Sequence, residues 1–264
     1  MIKFCSLFSG SSGNAIFIGT EHTKVLIDCG LSGKKIVEAL LSIGEDPADL
    51  DAILITHEHI DHVRGVGVIS RKFDVPVYAN EPTWNAIKCG LGDINEKNIM
   101  YFDTYGEFDI KDIHINPFLI PHDAAEPVGF NFFVQKSKVT IATDIGHVTK
   151  ELLGCLEASD MILLEANHDI EMLKVGRYPW SLKQRILGDK GHLSNETAAK
   201  VAAYLAQRGT RRFLLGHLSR ENNFPELAYQ TVLNELNKYS IKVGSDVMLD
   251  VALRDRVGQV LLVG

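Results

Sequence analysis

Short apolar runs separated by polar and glycine positions open the chain. Residues 2–8, 15–18 and 25–27 each have the length and composition of a buried strand. Helical spacing follows over about 34–43 and stops at Gly44. The run 52–55 returns to strand and breaks off at a histidine-rich segment. A helix-like stretch to Phe73 and a strand at 75–78 come next. From 99 to 143 the pattern is mostly strand, with runs at 113–120, 129–134 and 139–143. Strands then alternate with helices: strand 161–164, helix 195–207 with Ser194 as its N-cap, strand 212–215, helix 225–237, and short β runs at 247–249 and 260–263. Strands come early in each half and helices follow them. The pattern predicts an α/β fold, a four-layer αββα sandwich, as a single domain over 1–264.

Composition narrows the class. The chain has 264 residues, 45 % hydrophobic and 23 % charged, the proportions of a globular protein. No apolar run reaches the ~18 residues of a membrane span, and the first residues lack the regions of a secretory signal. Cys5, Cys29, Cys89 and Cys155 are far apart and form no CxxC pair, so they read as thiols of a reducing compartment. The expectation is a cytoplasmic chain without membrane contact, its oligomeric state open. A net charge of −7 argues against a generally basic nucleic-acid coat and leaves local basic patches open.

The chemistry concentrates in Thr56-His57-Glu58-His59-Ile60-Asp61-His62, directly after an apolar strand. A strand end and a tight loop can aim three imidazoles and a carboxylate at one place, and that donor set suits zinc, manganese or iron(II). Four donors do not complete two metal sites. Other polar residues also follow strand-like runs: Asp28, His122-Asp123, Asp144 and His217. Each alone reads as a turn or cap residue. Together they converge on one sheet edge, where α/β active sites form.

The order Asp28, His57-x-His59-x-Asp61-His62, His122, Asp144, His217 resembles the five motifs of the metallo-β-lactamase superfamily. Ser9-Gly10-Ser11-Ser12-Gly13-Asn14, Gly30-Leu31-Ser32-Gly33-Lys34-Lys35, His122-Asp123-Ala124-Ala125-Glu126-Pro127, Asn167-His168-Asp169 and Tyr178-Pro179-Trp180-Ser181 resemble, more narrowly, the YycJ/WalJ-like metallohydrolases, regarded as 5′→3′ DNA exonucleases. The resemblance implies two divalent metal ions. His57, His59 and His122 would hold the first, and Asp61, His62 and His217 the second. Asp144 would bridge them, and Asp28 would orient a ligand imidazole. Asp61 would also orient the attacking water. His59 stands where a di-iron redox branch of the superfamily carries Glu, which favours hydrolysis. His217, His192 and His168 compete for the last ligand position, and His217 is preferred because it follows a core-like strand. His192 precedes a helix cap and is expected in the cleft, as general acid to the leaving oxygen or as a phosphate contact.

Two features point to phosphate esters. The turn bearing Ser9, Ser11, Ser12 and Asn14 offers backbone N–H groups and hydroxyls to an anion; a plain hairpin turn is the other reading. Between 174 and 190 lie Lys174, Arg177, Lys183, Arg185 and Lys190 against the single acid Asp189, with Tyr178 and Trp180 among them. Lys183, Arg185 and Trp180, with His168, are candidate contacts to a single strand, DNA rather than RNA. The alternatives are a small-molecule metallohydrolase acting on a thioester, lactam or cyclic phosphodiester, and a metal-binding regulatory module without turnover.

Overall fold

The computed structural model describes all residues, Met1–Gly264. In chain order the first part contains β1 (Ile2–Phe8), β2 (Ala15–Gly19), β3 (Lys24–Ile27), α1 (Gly33–Ser42), β4 (Ala52–Leu54), α2 (Ile60–Val63), α3 (Val66–Phe73), β5 (Val77–Ala79), α4 (Glu81–Ile87), β6 (Ile99–Tyr101), β7 (Phe108–Ile110), β8 (Ile113–Leu119) and β9 (Val128–Val134). There follow β10 (Ser137–Ala142), α5 (Lys150–Leu156), β11 (Met161–Glu165), α6 (Ile170–Val175), α7 (Trp180–Leu187), α8 (Asn195–Ala206), β12 (Arg212–Gly216), α9 (Pro225–Lys238), β13 (Met248–Val251) and β14 (Leu261–Val263). No helix is long and apolar enough to cross a membrane.

The chain divides into two compact units. The first comprises Met1–Leu119, Ala124–Ser137 and Leu253–Gly264. Its main sheet has the order β14-β1-β2-β3-β4-β5-β6. Pairing is antiparallel from β14 to β3, with Phe4 opposite Ile18, and parallel from β3 to β6, with Val25 opposite Ala52. In β1 to β4 side chains on both faces are buried, which is why these strands read as continuous apolar runs. On one face Leu7, Phe17, Leu26, Ile53 and Val77 form a core with Ile36 and Leu40 of α1, Val66 and Ile69 of α3, and Trp84 of α4. The antiparallel strands β7, β8 and β9 belong to the same unit. Phe108 of β7 stacks on Tyr78 of β5 at 5.8 Å between ring centroids.

The second unit comprises Ile120–Asp123 and Lys138–Ala252. Its strands β10, β11, β12 and β13 are parallel neighbours in that order, with Thr140 opposite Ile162, Ile162 opposite Phe213 and Phe213 opposite Leu249. Parallel strands require crossovers, supplied by α5, by α6 to α8, and by α9. Ser194 caps α8, its side chain accepting from Thr197 N, which satisfies one of the first-turn N–H groups.

Candidate metal centre

In the first unit, two parallel strands deliver the histidine segment and its support. Asp28 immediately follows β3 with φ 59°. This left-handed conformation is uncommon outside glycine, though Asp and His are enriched in it. Asp28 Oδ1 accepts from Thr56 N at 2.9 Å, and Oδ2 accepts from Thr56 Oγ1 at 2.8 Å. Oδ2 also takes the Nδ1–H of His62 at 2.7 Å. All of these atoms are buried, so the carboxylate fixes the imidazole tautomer and leaves the His62 lone pair on Nε2. His57 Nε2 lies 3.1 Å from His59 Nδ1, and the His57 and His62 rings are 4.1 Å apart. Asp61 Oδ2 is 3.6 Å from His62 Nε2. Four side chains from one short segment therefore gather at one place.

Neighbouring loops hold that segment by backbone bonds: Cys29 N to His62 O and Gly65 N to Cys29 O, both 2.7 Å, and Asn14 N to Asp61 O at 2.8 Å. Gly30 packs so close that a Cβ would stand 1.6 Å from Asp61 O, and only glycine permits this approach. Asn14 is buried; its Oδ1 accepts from Gly10 N at 2.9 Å, and its Nδ2 lies 3.0 Å from His62 Nε2.

In the second unit, the carboxyl ends of β10, β11 and β12 carry the chemistry. Asp144 and His217 again have left-handed backbone, φ 61° and 56°. Glu165 ends β11 and is fully buried. Glu165 Oε1 accepts from His217 Nδ1 at 2.9 Å and His192 Nδ1 at 2.8 Å. Its Oε2 accepts from Ile145 N at 2.7 Å and Leu193 N at 3.1 Å. Burial pushes the Glu165 carboxyl up, but the His192 charge and the bonds from both imidazoles outweigh it and hold the group well below the usual carboxylate range. Donor atoms of Asp144, Glu165, His192 and His217 lie within 4.8 Å of one another. His122 Nδ1 donates to Gly191 O at 3.0 Å. The Nε2 atoms of His122 and His217 stand 3.9 and 3.4 Å from Asp144 Oδ1.

Sequence reading missed Glu165, although its signal matches that of Asp28: an acid closing an apolar strand run. His168 lies outside the group around Asp144 and lines a cavity that has His192, a member of that group, in its wall. One of the expected strand contacts needs revision. Lys183 is 8 % exposed and its Nζ donates to Lys174 O at 2.7 Å, so its ammonium closes the α6 end rather than facing outward. Arg185 forms an ion pair with Asp123. Trp180 is 66 % exposed. Ser11 and Ser12 are exposed, whereas Ser9 is buried.

The donor sets fit divalent metal. Each of His62, His122 and His217 gives its Nδ1–H to a carboxylate or carbonyl, and Nε2 then carries the lone pair, as in ligating imidazoles.

Comparison with known proteins agrees. Residues 23–218 match the β-lactamase superfamily domain. The chain is 45 % identical over 246 residues to a Streptococcus pneumoniae protein named exodeoxyribonuclease WalJ, covering 92 % of this chain and 91 % of that one. It is 43 % identical over 244 residues to exodeoxyribonuclease YycJ of Bacillus anthracis, covering 92 % of each. The crystal structure of the metallo-β-lactamase fold protein YhfI from Bacillus subtilis superposes with a TM-score of 0.71 at 14 % identity, covering 98 % of this chain and 100 % of that one. The fold is accordingly the αββα sandwich expected from the sequence, and the donor sets within this fold imply divalent metal ions. The chain belongs to the metallo-β-lactamase superfamily, in the subfamily that includes WalJ and YycJ.

Proposed function

We propose that the chain is a metal-dependent phosphodiesterase acting as a 5′→3′ exonuclease on DNA. The observation that carries this reading is the 45 % identity, over 92 % of the chain, to a protein named exodeoxyribonuclease. The proposed ligand set is His57, His59 and His122 for one ion and Asp61, His62 and His217 for a second, with Asp144 shared. The approach of His122 Nε2 and His217 Nε2 to the same oxygen of Asp144 supports a shared role for that carboxylate. Zinc, manganese and iron(II) all suit His/Asp donors.

A pair of bound cations supplies Lewis acidity and an activated water for in-line displacement at phosphorus. The residues do the rest. Asp61 orients the attacking water. His192, its Nδ1 tied to Glu165, hands a proton from Nε2 to the leaving oxygen. Asp28 and Glu165 keep the ligand imidazoles in one tautomer and one orientation. Exposed Trp180 offers a face on which a base can stack.

The test compares 5′-labelled single-stranded DNA, duplex DNA and RNA with a lactam and a thioester in the presence of Mn²⁺. The expected result is mononucleotide release from DNA, with Asp144→Ala inactive but folded by circular dichroism. Turnover of the lactam or thioester alone would replace this reading with the small-molecule one.

A further inference from the structure

Within the second unit lies a pocket of about 230 Å³ with His192 in its wall; the proposed chemistry uses His192 but none of the other lining side chains. Val148, Ile170 and Leu187 give it apolar walls; His168, Ser194 and Thr197 give it polar atoms. His168 is 1 % exposed, and neither of its ring nitrogens has a hydrogen-bond partner in the protein. Buried polar side chains are almost always paired, so a ring with two unmet nitrogens lining a cavity points to a ligand that meets them. Burial pushes the His168 imidazole down to about 4, so at neutral pH the ring is uncharged and offers one donor and one acceptor.

The ligand's class follows from what lines the pocket. No lysine or arginine does, and the Glu165 carboxylate lies behind His192. For positive charge a phosphate would meet only the imidazoles of His147 and His192 there, the latter already paired with that carboxylate. A flat, neutral group with donors and acceptors on its edge and apolar faces suits the walls and the polar atoms alike, and a nucleobase is such a group. The volume is below the ~300–1,000 Å³ of drug-sized sites, which limits the occupant to one base.

We propose that this pocket receives the terminal nucleobase of the strand being cut, unstacked from its neighbour, with apolar walls against its faces and His168, Ser194 and Thr197 at its edge. The proposal rests on the nuclease reading above and deepens it. A socket for one base beside the residue that protonates the leaving oxygen makes the enzyme count nucleotides singly from an end.

The first test uses binding alone. Titration of the unaltered protein with dAMP and with 2-deoxyribose 5-phosphate, followed by calorimetry, should show the base-bearing ligand bound at least about ten-fold tighter, the strength typical of a held base. Ile170→Trp, which fills the pocket, should erase that preference. Equal affinity of the unaltered protein for the two ligands would overturn the proposal whether or not the variant folds. The second test uses DNA whose terminal residue is abasic: KM should rise by about ten-fold or more relative to an intact end, and an unchanged KM would also overturn it. A protein that degrades no DNA yet still prefers dAMP would sink the nuclease reading while upholding the pocket.

Discussion

Four donors converge on the carboxylate of Glu165, two imidazole nitrogens on one oxygen and two backbone amides on the other. An amide cannot replace it. Glu165→Gln would turn an NH2 group toward either the imidazoles or the backbone, and two donors would lose their acceptor. Buried hydrogen-bonding groups left unmade cost roughly 1–3 kcal/mol each, so this variant should unfold about 2–6 kcal/mol more easily in urea. A loss below about 0.5 kcal/mol would show that the network is not held by charge and geometry as described. Asp28 poses the complementary case, because its carboxylate joins a single imidazole, that of His62, to the backbone and hydroxyl of Thr56. Asp28→Asn removes the fixed acceptor of the His62 Nδ1–H. Metal affinity should fall by about 10–100-fold, measured by competition with a chelator, while the circular dichroism spectrum stays native. Unaltered affinity would mean that His62 does not depend on Asp28 for its orientation.

The elements explain why some of this was legible in the sequence and some was not. Residues 2–8 read as a strand and form β1, and the 34–43 periodicity became α1 at Gly33–Ser42, because both are long enough for their period to show. The sequence pattern does not predict helices α4 to α7; each has eight residues or fewer, too few for a 3.6-residue period to accumulate. The remaining signals of α4, α5 and α6 are the caps Asn80, Thr149 and Asp169, whose side chains each accept from the N–H three residues on. The donors of the first unit were legible because they are contiguous. Glu165 was not, since its neighbours across the sheet come from other strands. Lys183 misled because charge in a sequence carries no record of burial. The β7–β8 hairpin adds a pH-sensitive pairing of its own: His114 stands opposite Asp109 and its Nδ1 donates to that residue at 2.7 Å. The bond to Asp109 and the bond and charge of Glu107 raise the His114 pKa above its ordinary 6.5, against a smaller loss from burial. A raised folded-state pKa stabilises fully below the unfolded value and ceases to do so as pH rises through the folded one. The Tm advantage over His114→Gln should therefore be largest below pH 6.5 and fall as the pH rises above it, and the imidazole resonance should titrate above 6.5. A constant Tm difference across that range would remove the pairing from the account.

At the scale of the whole molecule, the acidic excess sets a problem that bound cations help to solve. A chain of net charge −7 repels DNA, and the basic stretch has fewer outward charges than its sequence suggests, with Lys183 buried and Arg185 paired to Asp123. Divalent ions at the proposed ligands would bring positive charge to where the phosphate reacts. They would also stabilise the fold, because a ligand that binds only the native state adds free energy by mass action. Metal at about 100 times its Kd contributes about 2.7 kcal/mol, and for a chain of this length each kcal/mol is worth roughly 2–4 °C. Calorimetry of chelator-stripped protein before and after adding Mn²⁺ or Zn²⁺ should thus show the transition moving up by about 5–10 °C. His59→Ala and Asp144→Ala should each lose most of that shift. If the unaltered protein's transition stays in place at saturating metal, the imidazoles and carboxylates gathered at these strand ends do not bind it.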